Sequence, residues 1–394
     1  MKTTTAQVIA DGQKYVMNTY GRLPIVIDKG EGCYVWDLDG NKYLDLVAGI
    51  AVNSLGHGHP AVVQAIKEQS EQLLHCSNLY WIENQVNLAK LLVEKSGLGK
   101  AFFCNSGAEA NEAAIKLARK WGKGEKYHFV VMQKSFHGRT LGSLAATAQE
   151  KYQKPFMPLP EGFTAVPLGD LEALEAAIRP ETCAVMLEPI QGESGINVPS
   201  VEYMQGVRAL CDKYGILMIL DEVQAGLGRT GKPFAFQNFG IVPDIISLAK
   251  AIANGVPMGA IVAKDEVADC FQPGDHASTF GGTPIATAAG LAACNILLDD
   301  AFLANVQEIG EYFRAELRAI GERHPELIKE VRGLGLMIGC ELTGSSKEAA
   351  AELLKRGVLV NSIGEHVLRF VPPLTITKAE IDSFMPILED VLTK

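Results

Sequence analysis

Ile216-Leu217-Met218-Ile219-Leu220, followed at once by Asp221-Glu222-Val223-Gln224, is a run of apolar residues with no polar alternation that ends on an acid. A strand of that kind is buried on both faces, as in a sheet covered by helices. Six further runs of strand length accompany it: AFFC at 101–104, FVVM at 129–132, TAV at 164–166, CAVML at 183–187, IISL at 245–248 and GAIV at 259–262. Helix-period segments at 108–121, 170–178 and 201–214 intervene, which predicts an α/β fold with a mainly parallel, seven-stranded sheet. Only ten residues separate Leu248 from Gly259, fewer than the roughly twelve that a parallel crossover needs, so the last strand is expected to run antiparallel.

Outward from this core the texture changes. An amphipathic helix at 303–323, short strands around 334–342 and 367–370 and two more helices predict a smaller α+β domain over 296–394. Residues 1–50 carry strand and turn signals such as Gly32-Cys33-Tyr34-Val35-Trp36-Asp37 and Asp39-Gly40-Asn41, and are expected to pack with that domain. The span 51–295 is then the large, ligand-binding domain. With a net charge of -10 over 394 residues and a pI near 5.4, the chain lacks the clustered cations that nucleic acid or an anionic membrane would require. The start, Met1-Lys2-Thr3-Thr4-Thr5-Ala6-Gln7, has no apolar stretch behind its lysine, and no later run approaches the roughly 20 apolar residues of a membrane span. Eight scattered cysteines show no CxxC and no Cys/His pair at ligand spacing, so free thiols, a reducing cytoplasmic setting and no metal are expected. His57-Gly58-His59 reads as a plain loop.

In doubly wound sheets ligands bind at the carboxyl ends of the strands, and here the residues just beyond each run are chemically rich. After 101–104 comes Asn105-Ser106-Gly107-Ala108-Glu109, where Ser106 can cap a helix and Glu109 can close a capping box; the helix start opened by Gly107 is either an ordinary cap or a phosphate site. After 129–132 comes Phe136-His137-Gly138-Arg139, a ring able to stack on a flat group and a guanidinium able to clamp a carboxylate, or else a core Phe and a surface Arg. After 183–187 comes Glu188-Pro189-Ile190-Gln191-Gly192-Glu193, a turn with two carboxylates, either of which could serve as a cap. Asp221 leaves a fully apolar strand and needs a partner, for which a protonated pyridine nitrogen would serve. Lys250, at the end of 245–248, would have its pKa lowered by desolvation and become a nucleophilic amine. Each signal is weak alone. Together, a phosphate cradle, a stacking ring, a pyridinium acid, an imine-forming lysine and a carboxylate clamp are what pyridoxal 5′-phosphate (PLP) requires. Gly226-Leu227-Gly228-Arg229-Thr230-Gly231 also matches the dinucleotide GxGxxG pattern, but Pro233 comes soon after and no helix-period run opens there, so it reads as a loop.

The segments at 105–112, 135–140, 188–193, 220–231 (LDEVQAGLGRTG) and 279–284, with Asp37-Leu38-Asp39-Gly40 and the 55–60 stretch, resemble the class III aminotransferases over nearly the whole chain. That resemblance implies a PLP enzyme of fold type I, a homodimer with active sites shared between subunits. Ser106, Gly107 and Ala108 would hold the phosphate, Phe136 would stack on the pyridine and Asp221 would pair with its nitrogen. Val223 and Gln224, with Glu222 in the same turn, would frame the other ring face and the phenolic oxygen. Thr279 would reach the neighbouring subunit's phosphate, with Ser278 beside the substrate. Arg139 would bind the substrate's α-carboxylate, Arg369 that of glutamate, and Glu193 would cover Arg369 when an ω-amine enters. Lys250 would carry the cofactor and move the proton. Within the family the resemblance points to transfer of the terminal amine of N2-acetylornithine to 2-oxoglutarate, giving N-acetylglutamate 5-semialdehyde and glutamate in arginine biosynthesis. Ornithine, succinylornithine, succinyldiaminopimelate and 4-aminobutyrate are the rival donors. A binding protein that kept the fold and lost the chemistry is the rival of another class, and intact Lys250, Asp221 and Arg139 argue against it.

Overall fold

The computed structural model describes residues 3–394; Met1 and Lys2 of the N-terminal segment lie outside the described residues. The seven runs become the strands Lys100–Cys104, His128–Met132, Phe163–Val166, Thr182–Leu187, Leu217–Asp221, Ile245–Leu248 and Gly259–Ala263 of one sheet. Across that sheet the order is 100–104, 259–263, 245–248, 217–221, 182–187, 128–132, 163–166. The strand Gly259–Ala263 pairs antiparallel with both its neighbours, and the remaining pairs are parallel. The short link from Leu248 could only fold back, which is the physical reason for the single reversal. Five of the strands are buried at every position, because helices cover both faces.

Those helices start where the chain supplies caps. Ser106, Asp170 and Ser200 accept hydrogen bonds from Glu109 N, Ala173 N and Tyr203 N, opening Gly107–Trp121, Leu171–Ala177 and Val201–Tyr214. The predicted capping box at Ser106 closes differently. The Glu109 carboxylate turns back one residue further, to Asn105 N (2.7 Å) and Asn105 Nδ2 (2.9 Å), so the residue before the cap takes the bonds that a box would give to the cap itself.

The C-terminal part has a four-stranded sheet built from Ile328–Leu334, Met337–Leu342, Asn361–Ile363 and Val367–Phe370. Its helix Asp300–Arg323 buries Phe313 against Phe370 and Phe384. The N-terminal strands Ile27–Glu31, Tyr34–Asp37 and Lys42–Asp45 form another sheet, completed by Val358–Leu359 running parallel to Lys42–Asp45. The beginning and the end of the chain thus share one sheet. The helix Pro284–Leu297 runs past the 295/296 division, and the break comes at Leu298-Asp299, where Asp299 caps Asp300–Arg323. Among the described residues no single helix is long and apolar enough to cross a membrane.

Candidate active site

The carboxyl ends of the central strands open on a cavity of about 390 Å³, within the usual size for a cofactor or metabolite. At one end lies the start of helix Gly107–Trp121. Ser106 Oγ is occupied by Glu109 N (3.2 Å), which leaves the first N–H groups of that helix, at Gly107 and Ala108, free to hold an anion. Gly107 packs on Val223, whose Cγ1 would lie 2.9 Å from an added Cβ, so backbone rather than side chain faces the cavity there.

Asp221 ends its strand with a carboxylate that is almost fully enclosed. Oδ2 accepts from His137 Nδ1 (2.8 Å) and Asn111 Nδ2 (2.7 Å), and Oδ1 from Val223 N (3.0 Å). Asn111 Nδ2 also donates to the His137 carbonyl (2.6 Å). These three donors compensate the buried carboxylate and fix it in place at the cavity wall. Asn111 and His137 are functional residues that sequence reasoning missed. The available signal was Asn111 itself, a polar residue on the alanine-rich buried face of its helix. Two of the polar atoms in this group, Asn111 Oδ1 and His137 Nε2, are buried without a partner, as a site built around a ligand would leave them.

Lys250 follows the strand Ile245–Leu248 with a left-handed backbone (φ 51°), a strained conformation typical of functional positions. Burial, helped by the Arg369 cation and opposed by Glu193, Asp221 and Glu188, brings its amine down to about 8. Roughly a tenth of the amine is therefore neutral and nucleophilic at pH 7, far more than an ordinary lysine offers. Phe136 borders the same cavity, edge-on to Tyr152 (centroids 6.1 Å apart). The Arg139 guanidinium lies 4.0 Å from the Tyr152 ring and 5.4 Å from that of Phe136, exposed at the cavity mouth and held by cation–π contact.

The Glu188 carboxylate is at once a cap for its turn and part of the site. It lines the cavity and accepts from Phe136 N (3.0 Å) and Gly192 N (3.3 Å). Burial, followed by the Asp221 charge, raises its pKa well above the carboxylate range. Glu193 borders the cavity as well, and its Oε1 accepts from Arg369 Nη1 (2.6 Å) and Gln224 Nε2 (2.9 Å). Burial would raise the Glu193 carboxyl, but the Arg369 and Lys250 cations outweigh it and the net shift is downward. Arg369 stands behind Glu193, buried, with further bonds to Gly192 O (3.0 Å), Gln224 Oε1 (3.2 Å) and Asn361 Oδ1 (2.9 Å).

Three of the expected residues do not line this chain's cavity. Glu222 does not face the cavity: its carboxylate accepts from Ala235 N (2.7 Å) and Phe236 N (2.8 Å). Successive side chains of an extended strand point to opposite faces, so the neighbour of Asp221 is sent away from it. Ser278 accepts from Asn105 Nδ2 (3.1 Å) behind the helix start. Thr279 sits on an exposed loop beside Phe280 and does not line the cavity of its own chain. Val223 and Gln224 both line it.

Free N–H donors at a helix start, an enclosed aspartate, a desolvated lysine and the Phe136 and Val223 side chains lining the same cavity fit PLP. Ser106, Gly107 and Ala108 would take its phosphate, Asp221 its ring nitrogen and Lys250 its carbonyl carbon.

Residues 15–392 match the family model "Aminotransferase class-III". The chain is similar to the acetylornithine aminotransferase of Caldanaerobacter subterraneus subsp. tengcongensis, 55% identical over 97% of this chain and 98% of that one. It is also similar to that of Methanocaldococcus jannaschii, 50% identical over 97% of both. Among solved structures, an ornithine aminotransferase from Toxoplasma gondii with PLP at partial occupancy in its active site superimposes with a TM-score of 0.94 at 33% identity, covering 99% of this chain and 94% of the other.

Proposed function

This chain belongs to the class-III aminotransferase family, and from that premise we propose that it transfers the terminal amine of N2-acetylornithine to 2-oxoglutarate, forming N-acetylglutamate 5-semialdehyde and glutamate in arginine biosynthesis. When bound, PLP supplies the carbonyl that captures an amine and the ring that accepts the electrons left on carbon once a proton departs. The protein does the rest. Asp221, held by His137 and Asn111, keeps a positive charge on the ring nitrogen favourable. Lys250 would hold the cofactor, and its amine, when free, would serve as the general base and acid that moves a proton at the substrate carbon. Arg139 takes the substrate's α-carboxylate at the cavity mouth.

The observation that carries the assignment to a terminal-amine donor is the 2.6 Å pair between Glu193 and Arg369. An acylated diamine brings its reacting amine without a neighbouring carboxylate, so a covered arginine suits it; glutamate needs that arginine uncovered. The strong likeness to relatives named for acetylornithine supports the same donor.

The protein acts in this proposal as a homodimer in the cytoplasm, with residues 51–295 holding the cofactor and 296–394 contributing Arg369. Free cysteines at all eight positions suit a reducing compartment. Trp81, Tyr80 and Leu79, exposed by 92%, 70% and 81%, form the apolar surface a partner would cover. They sit near the Thr279 loop, since Asn78 donates to Ser278 O and Gly281 O. The test is a panel of amine donors, N2-acetylornithine against ornithine, succinylornithine, succinyldiaminopimelate and 4-aminobutyrate, each with 2-oxoglutarate. A higher kcat/KM for any rival than for N2-acetylornithine refutes the assignment.

A further inference from the structure

The turn at 226–231, which imitates a nucleotide loop, plays no part in the active site, yet it holds one of the largest fully buried side chains of the protein, Arg229. Burial pushes this guanidinium down to about 9, with no anion raising it. Its acceptors are neutral: Nη1 donates to Leu336 O (3.1 Å) and Pro372 O (2.5 Å), and Nη2 to Ser54 Oγ (2.9 Å). Leu336 N returns a bond to Arg229 O (3.0 Å). Gly335 (φ +54°) lets the C-terminal backbone come this close, since an added Cβ would lie 2.6 Å from Arg229 O. A buried cation without a counter-charge is costly, so its purpose lies in what it ties together.

Both ends of that grip run into the active site. Pro372 follows Arg369 closely on the segment that leaves the strand Val367–Phe370. The next residues are pinned in the same place, Val371 N to Leu46 O (3.0 Å) and Leu374 N to Ser54 O (2.7 Å). Ser54, on the other side, lies just beyond Val52, which lines the cavity. An arginine fork suits this junction because it presents several donors in a fixed plane to acceptors from different segments.

We infer that Arg229 is a positioning residue: it clamps residues 371–374 and 52–54 onto the large unit and thereby sets how Arg369 presents itself behind Glu193. The inference rests on the glutamate-binding role proposed for Arg369. A merely structural arginine would, on removal, weaken the whole protein and slow both half-reactions alike. A positioning arginine affects the dicarboxylate half selectively.

The experiment compares Arg229→Met, which keeps the bulk and loses the donors, with Arg229→Lys, which keeps the charge. The two half-reactions are followed separately with N2-acetylornithine and with glutamate, and amide hydrogen exchange is measured at Val371 and Leu374 in the cofactor-free protein. For Arg229→Met we expect KM for glutamate to rise by about tenfold or more with kcat little changed, the N2-acetylornithine half-reaction to stay within about threefold, and exchange at both amides to quicken. Arg229→Lys should recover part of each effect; if the methionine variant does not fold, the lysine variant carries the same comparison against the parent. Equal losses in both half-reactions, or unchanged exchange at Val371 and Leu374, would overturn the inference. A parent enzyme that does not use N2-acetylornithine refutes the substrate assignment instead, while the exchange measurement still decides the clamp.

Discussion

Replacing Glu193 with alanine removes the one carboxylate that covers Arg369, and the structure allows the consequence to be sized. Arg369 keeps its bonds to Gly192 O, Gln224 Oε1 and Asn361 Oδ1, so the guanidinium should hold its place and lose only its counter-charge. Two charges about 4 Å apart at an effective dielectric of about 20 interact by about 4 kcal/mol, which sets a ceiling. The Glu193 side chain is 23% exposed, so water screens part of that, and a charge-assisted hydrogen bond contributes about 1.5–3 kcal/mol. Taking about 2 kcal/mol, the ratio of kcat/KM for glutamate to that for N2-acetylornithine should rise roughly thirtyfold. The assay is single-turnover conversion of the loaded enzyme by each amine separately, read from the cofactor's absorbance. A second reading comes from Lys250, whose amine is raised by the Glu193 anion; without that anion its pKa should fall below about 8. An unchanged ratio, or a loss confined to glutamate, would refute the reasoning and reduce Glu193 to a support for its own turn.

Lys250→Ala should abolish transamination, since among the described residues Lys250 is the one lysine lining the cavity; turnover near the parent rate would exclude it as the cofactor's anchor. In the parent, uptake of added PLP by cofactor-free protein should accelerate as pH rises through about 8, where Lys250 loses its proton, and an inflection in the ordinary lysine range would contradict the desolvated amine. Asp221→Ala should cut kcat by at least about 10²-fold with some cofactor still bound, and a loss under about threefold would remove Asp221 as the ring-nitrogen partner. Burial raises the Glu222 carboxyl to about 7. A folded-state pKa above the unfolded one gives stability that is full at low pH and is lost as pH rises towards that value. Thermal unfolding of Glu222→Gln should therefore gain on the parent between about pH 5 and 7 and level off above; a constant difference across that range would show that the carboxyl is ionised throughout.

Much of this architecture was legible from local pattern. A strand buried on both faces must be apolar throughout, so the seven runs declared themselves, and the short link after Leu248 dictated the one reversed strand. Ser106, Asp170 and Ser200 announced helix starts by their own side chains. Adjacency in sequence is not adjacency in space. Glu222 follows Asp221 yet points away, because strand side chains alternate, and Glu109 bonds to Asn105 rather than completing a box at Ser106.

By itself the sequence determined which elements form and which ionisable groups arrive at the strand ends, since both depend on runs of a few residues and on burial of apolar surface. Tertiary structure alone decided which partner each of those groups takes. Asp221 meets His137 and Asn111 from 84 and 110 residues away, Arg369 meets Glu193 from 176, and Arg229 meets Pro372 and Ser54 from 143 and 175. A hydrogen bond is satisfied within about 3 Å whatever the intervening chain length, so no local pattern encodes these pairs, and they exist only once the sheet has brought its strand ends together.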